Sequence, residues 1–126
     1  MVGDAILKLK VQLYSGDEIA IGPGKADLLE AIRQYGSISA AGRAMGMSYR
    51  RAWLLVDAMN RCWQQPLVET SPGSAHGGGA RVSAFGEGVL THYRALQARI
   101  DAAADCADFA ALQDAILPEP RVSQKA

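Results

Sequence analysis

A chain of 126 residues with zero formal net charge, 49% hydrophobic and 21% charged, has room for one hydrophobic core and little more. No apolar run is long enough to cross a bilayer as a helix, and the N-terminus "MVGDAILKLKVQLY" lacks the unbroken apolar stretch and small-residue cleavage site of a signal peptide. Cys62 and Cys106 lie too far apart for a zinc module or a disulfide scaffold, so a reduced, cytoplasmic setting without membrane association is expected.

Along the chain, Leu7, Leu9, Val11 and Leu13 alternate with polar neighbours, the period of a half-buried strand. "SGD" predicts a turn and "EIAIG" a short second strand, after which Pro23 and Gly24 punctuate the chain. From Lys25 to Tyr35, Leu28, Leu29 and Ile32 fall on one helical face, and Gly36 suits the left-handed residue after a helix. A short helix follows, with Ser39 as its expected cap and Ala40, Ala41, Ala44 and Met45 along it; Gly46 ends it. Ser48 caps a third helix running to about Trp63, whose buried stripe is Ala52, Val56, Met59 and Trp63. Pro66 stops any continuation. The strands "LVET" and "ARVS" then flank the glycine-rich loop "SPGSAHGGG". A long helix is expected from about Phe85 to Ile116, with Val89, Tyr93, Leu96, Ile100, Ala103 and Ala107 as a heptad seam. Residues 1–117 are expected to form one domain and 118–126 a disordered tail.

Helix, short helix, glycine turn, helix and hairpin is the order of a winged helix-turn-helix, a mainly helical fold with a small β wing. The charge distribution agrees. From Ser37 to Ser83, Arg43, Arg50, Arg51, Arg61 and Arg81 outnumber Asp57 and Glu69, whereas from Ala84 to Leu117 five carboxylates outnumber Arg94 and Arg99. Arg50 and Arg51 stand in the first turn of a helix, where the free N–H groups already carry partial positive charge. An anionic partner resolves that conflict: helix N-termini bind phosphates, and a recognition helix aims its first residues at base edges.

Arg50 and Arg51 are therefore the expected base or phosphate contacts, although two solvated surface arginines would look the same in sequence. Ser48 reads more readily as a cap than as a base contact. Tyr49 suits a phosphate or simple packing. Arg43 is placed for a backbone phosphate, and Arg61 suits either a phosphate or the helix C-terminal dipole. In the loop, Gly77 and Gly78 permit close backbone approach to a phosphate, while Ser71, Ser74, His76 and Arg81 supply donors. A plain hairpin tip would have the same composition. His76 and His92 have no ligand-spaced partners, so no metal or cofactor is expected. No nucleophile–base pair stands out, so the chain does not read as an enzyme.

The stretches "GSISAAGRAMGMSYRRAWLLVDAMN" and "GGGARVSAFGEGVL", with the opening strand, resemble the DNA-binding half of ModE-type molybdate-responsive transcription regulators; LysR-type regulators share a looser form of the pattern. The resemblance covers roughly residues 6–116. It implies operator binding, with Ser48, Tyr49, Arg50 and Arg51 at the start of the recognition helix and Ser74 to Gly79 in the wing. It also implies a homodimer through the first and last helices. The sequence ends before a molybdate-binding domain could begin, so molybdate binding is not expected. The wing is poorer in lysine than is usual in the family, and "VSAFG" replaces the commoner Leu-Thr opening of the last helix. From the seam itself, Val89, Tyr93, Leu96, Ile100, Ala103 and Ala107 form the expected dimer contact. The alternative to a double-stranded DNA partner is a protein-binding winged helix using Trp53, Leu54, Leu55 and the long helix as its contact surface.

Overall fold

The computed structural model describes residues 6–72 and 78–125. Lys10–Leu96 forms one compact unit; the described residues up to Leu9 form a second with those from Gln97 onward. Among the described residues there are five helices and two small antiparallel sheets, an order that fits a winged helix-turn-helix.

In the first unit, β1 (Leu13–Ser15) and β2 (Glu18–Ile21) pair across a tight turn containing Gly16. The alternation from Leu7 predicts a longer strand than forms: among the described residues, 7–12 have no ladder partner, and Leu7 and Leu9 are 46% and 39% exposed. Three helices follow: α1 (Pro23–Tyr35), α2 (Ile38–Ala44) and α3 (Tyr49–Cys62). Pro23 opens α1, where its missing N–H costs nothing. Gly36 closes it in the left-handed conformation at φ 77°, its N–H donating to the Ile32 carbonyl at 2.8 Å.

The cap of α2 is Ser37, not Ser39: the Ser37 side chain accepts from the Ala40 N–H at 3.0 Å. Both serines suit a cap, but α1 ends at Tyr35, so the chain turns into α2 one residue after Gly36. The α2–α3 turn uses Gly46 at φ +72°, and Met47 donates back to the Gly42 carbonyl at 2.9 Å. The helices cross so closely that a Cβ on Gly42 would lie 3.0 Å from Ala52 Cβ.

Trp63 lies just beyond α3 in extended conformation, its indole N–H donating to the Ala20 carbonyl at 3.2 Å. The chain then forms a hairpin of β3 (Val68–Thr70) and β4 (Ala80–Val82), with Glu69 opposite Arg81. Ala80 donates to the Gly36 carbonyl at 2.8 Å, tying β4 to the end of α1. The core of the unit is Leu28, Leu29, Ile32, Ala52, Met59 and Leu67, all fully buried, with Val56, Leu90 and Tyr93 packed around them. Each large aliphatic side chain buried this way stabilises the fold by about 1.5–3 kcal/mol.

The long helix expected over 85–116 is two helices, α4 (Ala84–Ala103) and α5 (Ala107–Ala115). Ladder bonds give way at the junction to an i→i−3 bond from Asp105 to the Ala102 carbonyl, and Cys106 adopts extended backbone. No glycine or proline marks the break, which is why periodicity runs through it. The expected seam is divided accordingly: Ala107 belongs to α5, and Tyr93 is buried in its own unit. Val89 likewise packs against that unit's core. On α4, Leu96 remains exposed and Ile100 half-buried.

The Tyr93 hydroxyl donates to the Val11 carbonyl at 2.7 Å. Burial pushes its pKa up, with the nearby Arg94 guanidinium partly opposing the shift. In the unfolded chain the phenol ionises near its ordinary value, so this contribution is fully present below about pH 10 and is lost as pH rises above it. Tyr93→Phe is expected to cost about 1 kcal/mol at neutral pH. Urea unfolding of both proteins at about pH 8 and about pH 10.5 should show a smaller alkaline loss in the variant; equal losses would dismiss Tyr93 as the cause.

Candidate nucleic-acid interface

Ser48 starts α3: its hydroxyl accepts from the Arg51 N–H at 3.1 Å, and its carbonyl accepts from the Ala52 N–H at 3.0 Å. The first turn, Tyr49, Arg50 and Arg51, is exposed and contains no acidic residue. Ala52, Val56 and Met59 bury one face, so helical spacing turns Arg50, Leu54, Asp57 and Arg61 to the opposite face.

Ion pairing sorts the arginines. Arg61 bonds Asp57 at 3.0 Å and Glu18 at 2.6 Å, which makes it a brace between α3 and β2. Those two hydrogen bonds hold its pKa above the ordinary value. Arg81 reaches Glu69 across the hairpin at 3.6 Å while staying largely exposed. Among the described residues, Arg43, Arg50 and Arg51 make no ion pair. Arg43 is exposed in the last turn of α2.

Lys25, in the first turn of α1, shares a cleft with Ser48, Arg50, Arg51 and Leu54. Burial pushes its pKa down; Glu18 opposes that shift and the Arg51 charge adds to it. No sequence signal picks out Lys25 as a companion of Arg51, since only the packing of α1 against α3 brings them near. Glu18 and Asp57 line the far end of the cleft, where both are paired with Arg61. At the α3 end an anion would meet the first N–H groups of the helix, the positive end of its dipole and the side chains of Lys25, Arg50 and Arg51.

On the other flank of α3, Tyr49 and Trp53 form a groove with Ile38, Ser39, Ser71 and Gly78. Ser71 donates to the Gly79 carbonyl at 2.9 Å at the base of the hairpin loop. Gly78 and Arg81 thus lie in the described part of the hairpin; Ser74, His76 and Gly77 lie outside the described residues. Asn60, not singled out from sequence, sets where the hairpin stands relative to α3. Its Oδ1 accepts from the Leu67 and Val68 N–H groups at 2.9 and 3.1 Å, and its Nδ2 donates to the Val68 carbonyl at 3.0 Å. An asparagine at the end of a helix just before a strand is the only signal that could have pointed to it.

Elsewhere in the same unit, an apolar cavity of about 430 Å³ is lined by Val11, Leu13, Trp63, Phe85, Val89 and Leu96, among others. No group of three His, Cys, Asp or Glu among the described residues could hold a metal ion. No described helix is long and apolar enough to cross a membrane.

No family model matches the chain. It is 32% identical over 115 residues to a protein named transcriptional regulator ModE from Haemophilus influenzae, covering 91% of this chain and 42% of that protein. It is 32% identical over 93 residues to the DNA-binding transcriptional dual regulator ModE of Escherichia coli K12, covering 74% of this chain and 34% of that one. The molybdenum-pterin-binding protein MopB of Rhodobacter capsulatus is 42% identical over 80 residues, 64% of this chain and 30% of that protein. The chain spans less than half the length of each of these relatives.

Proposed function

We propose that this chain, a ModE-type N-terminal domain by its homology to these regulators, binds double-stranded DNA and acts in transcription control. In this reading α3 is the recognition helix in the major groove and the β3–β4 hairpin is the wing on the flanking backbone. One observation carries the proposal: the Ser48-capped first turn of α3 presents Arg50 and Arg51 with no carboxylate in the turn and no ion pair among the described residues. Two arginines at a helix N-terminus repel its dipole by about 0.3–1 kcal/mol each unless an anion is bound. Gly78 extends the surface on the hairpin side of α3, and Arg43, exposed in the last turn of α2, adds a further cation for a backbone phosphate. No molybdate site, cofactor or catalytic step belongs to this reading.

Retention of the protein on an arbitrary duplex across a salt series tests it. Binding should fall steeply, with a log–log slope of about −0.9 for each phosphate contacted, through counterion release. No retention at low salt would refute the proposal. A protein-binding module, for which only the exposed Leu54 and its neighbours speak, would behave in that second way.

The active form in this reading is a homodimer. Leu13 and Leu96 are exposed while lining the apolar cavity, and Ile100 lies four residues beyond Leu96 on α4. A two-fold partner covering them would set two recognition helices on inverted half-sites. Sedimentation should give a dimer at micromolar concentration and a monomer for the Leu96→Asp/Ile100→Asp variant. A monomeric wild type would remove this part.

A further inference from the structure

Leu54 stands at the centre of the outward face of α3, four residues after Arg50, and is 47% exposed. A single exposed leucine needs no explanation. This one is not single. Trp53 at 46% and Tyr49 at 58% exposure continue an apolar edge along the same two turns. Leu54 lines the cleft that also holds Arg50 and Arg51, so apolar and cationic groups alternate on one surface. Beyond Leu54 the face changes character: Asp57 follows within one turn, its carboxylate held by Arg61, and Arg61 is held in turn by Glu18. The part of α3 open to a partner is therefore its first two turns.

We propose that Leu54 is a specificity-determining residue that reads the 5-methyl group of a thymine in the major groove. This rests on the DNA-binding reading above. A leucine offers no hydrogen-bond donor to a phosphate, and the thymine methyl is the apolar feature that base pairs present in that groove. The charge around it favours nucleic acid over a protein surface: Arg50 and Arg51 flank it without carboxylate partners among the described residues and Lys25 adds to them, while the two carboxylates of the same cleft, Glu18 and Asp57, are paired with Arg61. Spacing sets which base is read. Four helical residues rise ~6 Å, and successive base pairs ~3.4 Å, so Leu54 addresses a base one or two steps from the one that Arg50 reaches. The preferred half-site then contains a guanine or phosphate contact for Arg50 and, one or two steps away, a thymine. Trp53 and Tyr49, at the flank facing the hairpin, close the contact against water.

The test starts from a duplex selected by the wild-type protein out of a random-sequence library. Each thymine of the selected site is replaced in turn by deoxyuridine, which removes only the methyl group. The expected result is one position per half-site at which uracil weakens wild-type binding roughly fourfold, the equivalent of one buried methyl. Leu54→Ala, at an exposed position, should fold normally and bind the thymine and uracil duplexes equally at that position, with the salt dependence unchanged. If the protein selects duplexes but no uracil replacement matters, or if Leu54→Ala still distinguishes thymine from uracil there, the methyl assignment is wrong while DNA binding stands. If no duplex is retained at low salt, both fall together.

Discussion

Arg50→Ala is expected to weaken binding to the selected duplex by about ten- to a hundredfold, the range for loss of a bidentate arginine–guanine contact of ~1–3 kcal/mol. Arg51→Ala should weaken it by a smaller factor. Neither variant should lose stability. Both arginines are exposed, make no ion pair among the described residues, and sit where the helix dipole opposes their charge. Their removal should leave unfolding unchanged or stabilise the free protein by about 0.3–1 kcal/mol. A protein that becomes slightly more stable while losing its ligand is the mark of a side chain kept for that ligand. The form of the loss separates the roles: a base-reading arginine relaxes sequence preference at one position, whereas a phosphate contact weakens all duplexes alike and flattens the salt slope by about one unit. Wild-type affinity in both variants would show that the first turn of α3 does not meet DNA. Arg61→Ala should behave differently, because breaking its bonds to Glu18 and Asp57 loosens the attachment of α3 to β2.

The largest effect on stability is expected from Gly86→Ala. Gly86 lies in the first turn of α4, where its N–H donates to the Ser83 hydroxyl at 2.9 Å, and that hydroxyl donates to the Pro66 carbonyl at 2.7 Å. Ser83 is buried, so this pair of bonds both caps α4 and seats it on the segment leading into β3. A Cβ on Gly86 would fall inside contact distance of the Leu67 carbonyl oxygen and 2.9 Å from Val82 Cγ1. The first of these neighbours is backbone and cannot rotate away. Alanine gains about 1 kcal/mol over glycine from helix propensity, but overpacking against backbone costs about 3 kcal/mol or more. The net result is a strongly destabilised or unfolded chain. Gly88→Ala, two residues on, is the control: nothing lies within 4 Å of its Cβ position, so the propensity gain of up to about 1 kcal/mol should appear alone. Urea unfolding of the two variants side by side decides the matter, and equal stabilities would show that α4 shifts freely against β3.

Where reading the residues along the chain and the folded structure coincide, the cause is local. Ser48 caps α3 because its hydroxyl meets an N–H three residues away. Gly36 and Gly46 take positive φ where helices end. Ala52, Val56 and Met59 turn inward together through helical period alone. Each of these depends on residues within a turn or two, and a sequence displays such neighbours directly. Local patterning also has blind spots. Ser37 and Ser39 are equally good caps on paper, and a heptad seam runs unbroken through a junction where Cys106 is extended.

The candidate site was legible only in outline, since five arginines in one basic stretch are alike until their partners are known. Folding brings Glu18 to Arg61 from 43 residues away and sets Glu69 opposite Arg81 across a ladder, which leaves Arg43, Arg50 and Arg51 as the members of those five with no ion pair among the described residues. It brings Lys25 beside Arg51 and turns Tyr93 away from the expected seam onto the Val11 carbonyl. Asn60 and Gly86 look unremarkable in sequence, yet one holds β3 to α3 and the other leaves room for α4. Local capping, turns and helical period were thus set by the amino-acid sequence through short-range sterics and hydrogen bonding. Which charges are paired, which apolar faces are covered and which glycine is indispensable were decided by tertiary packing, because those properties belong to atoms that meet only when distant segments close on one another.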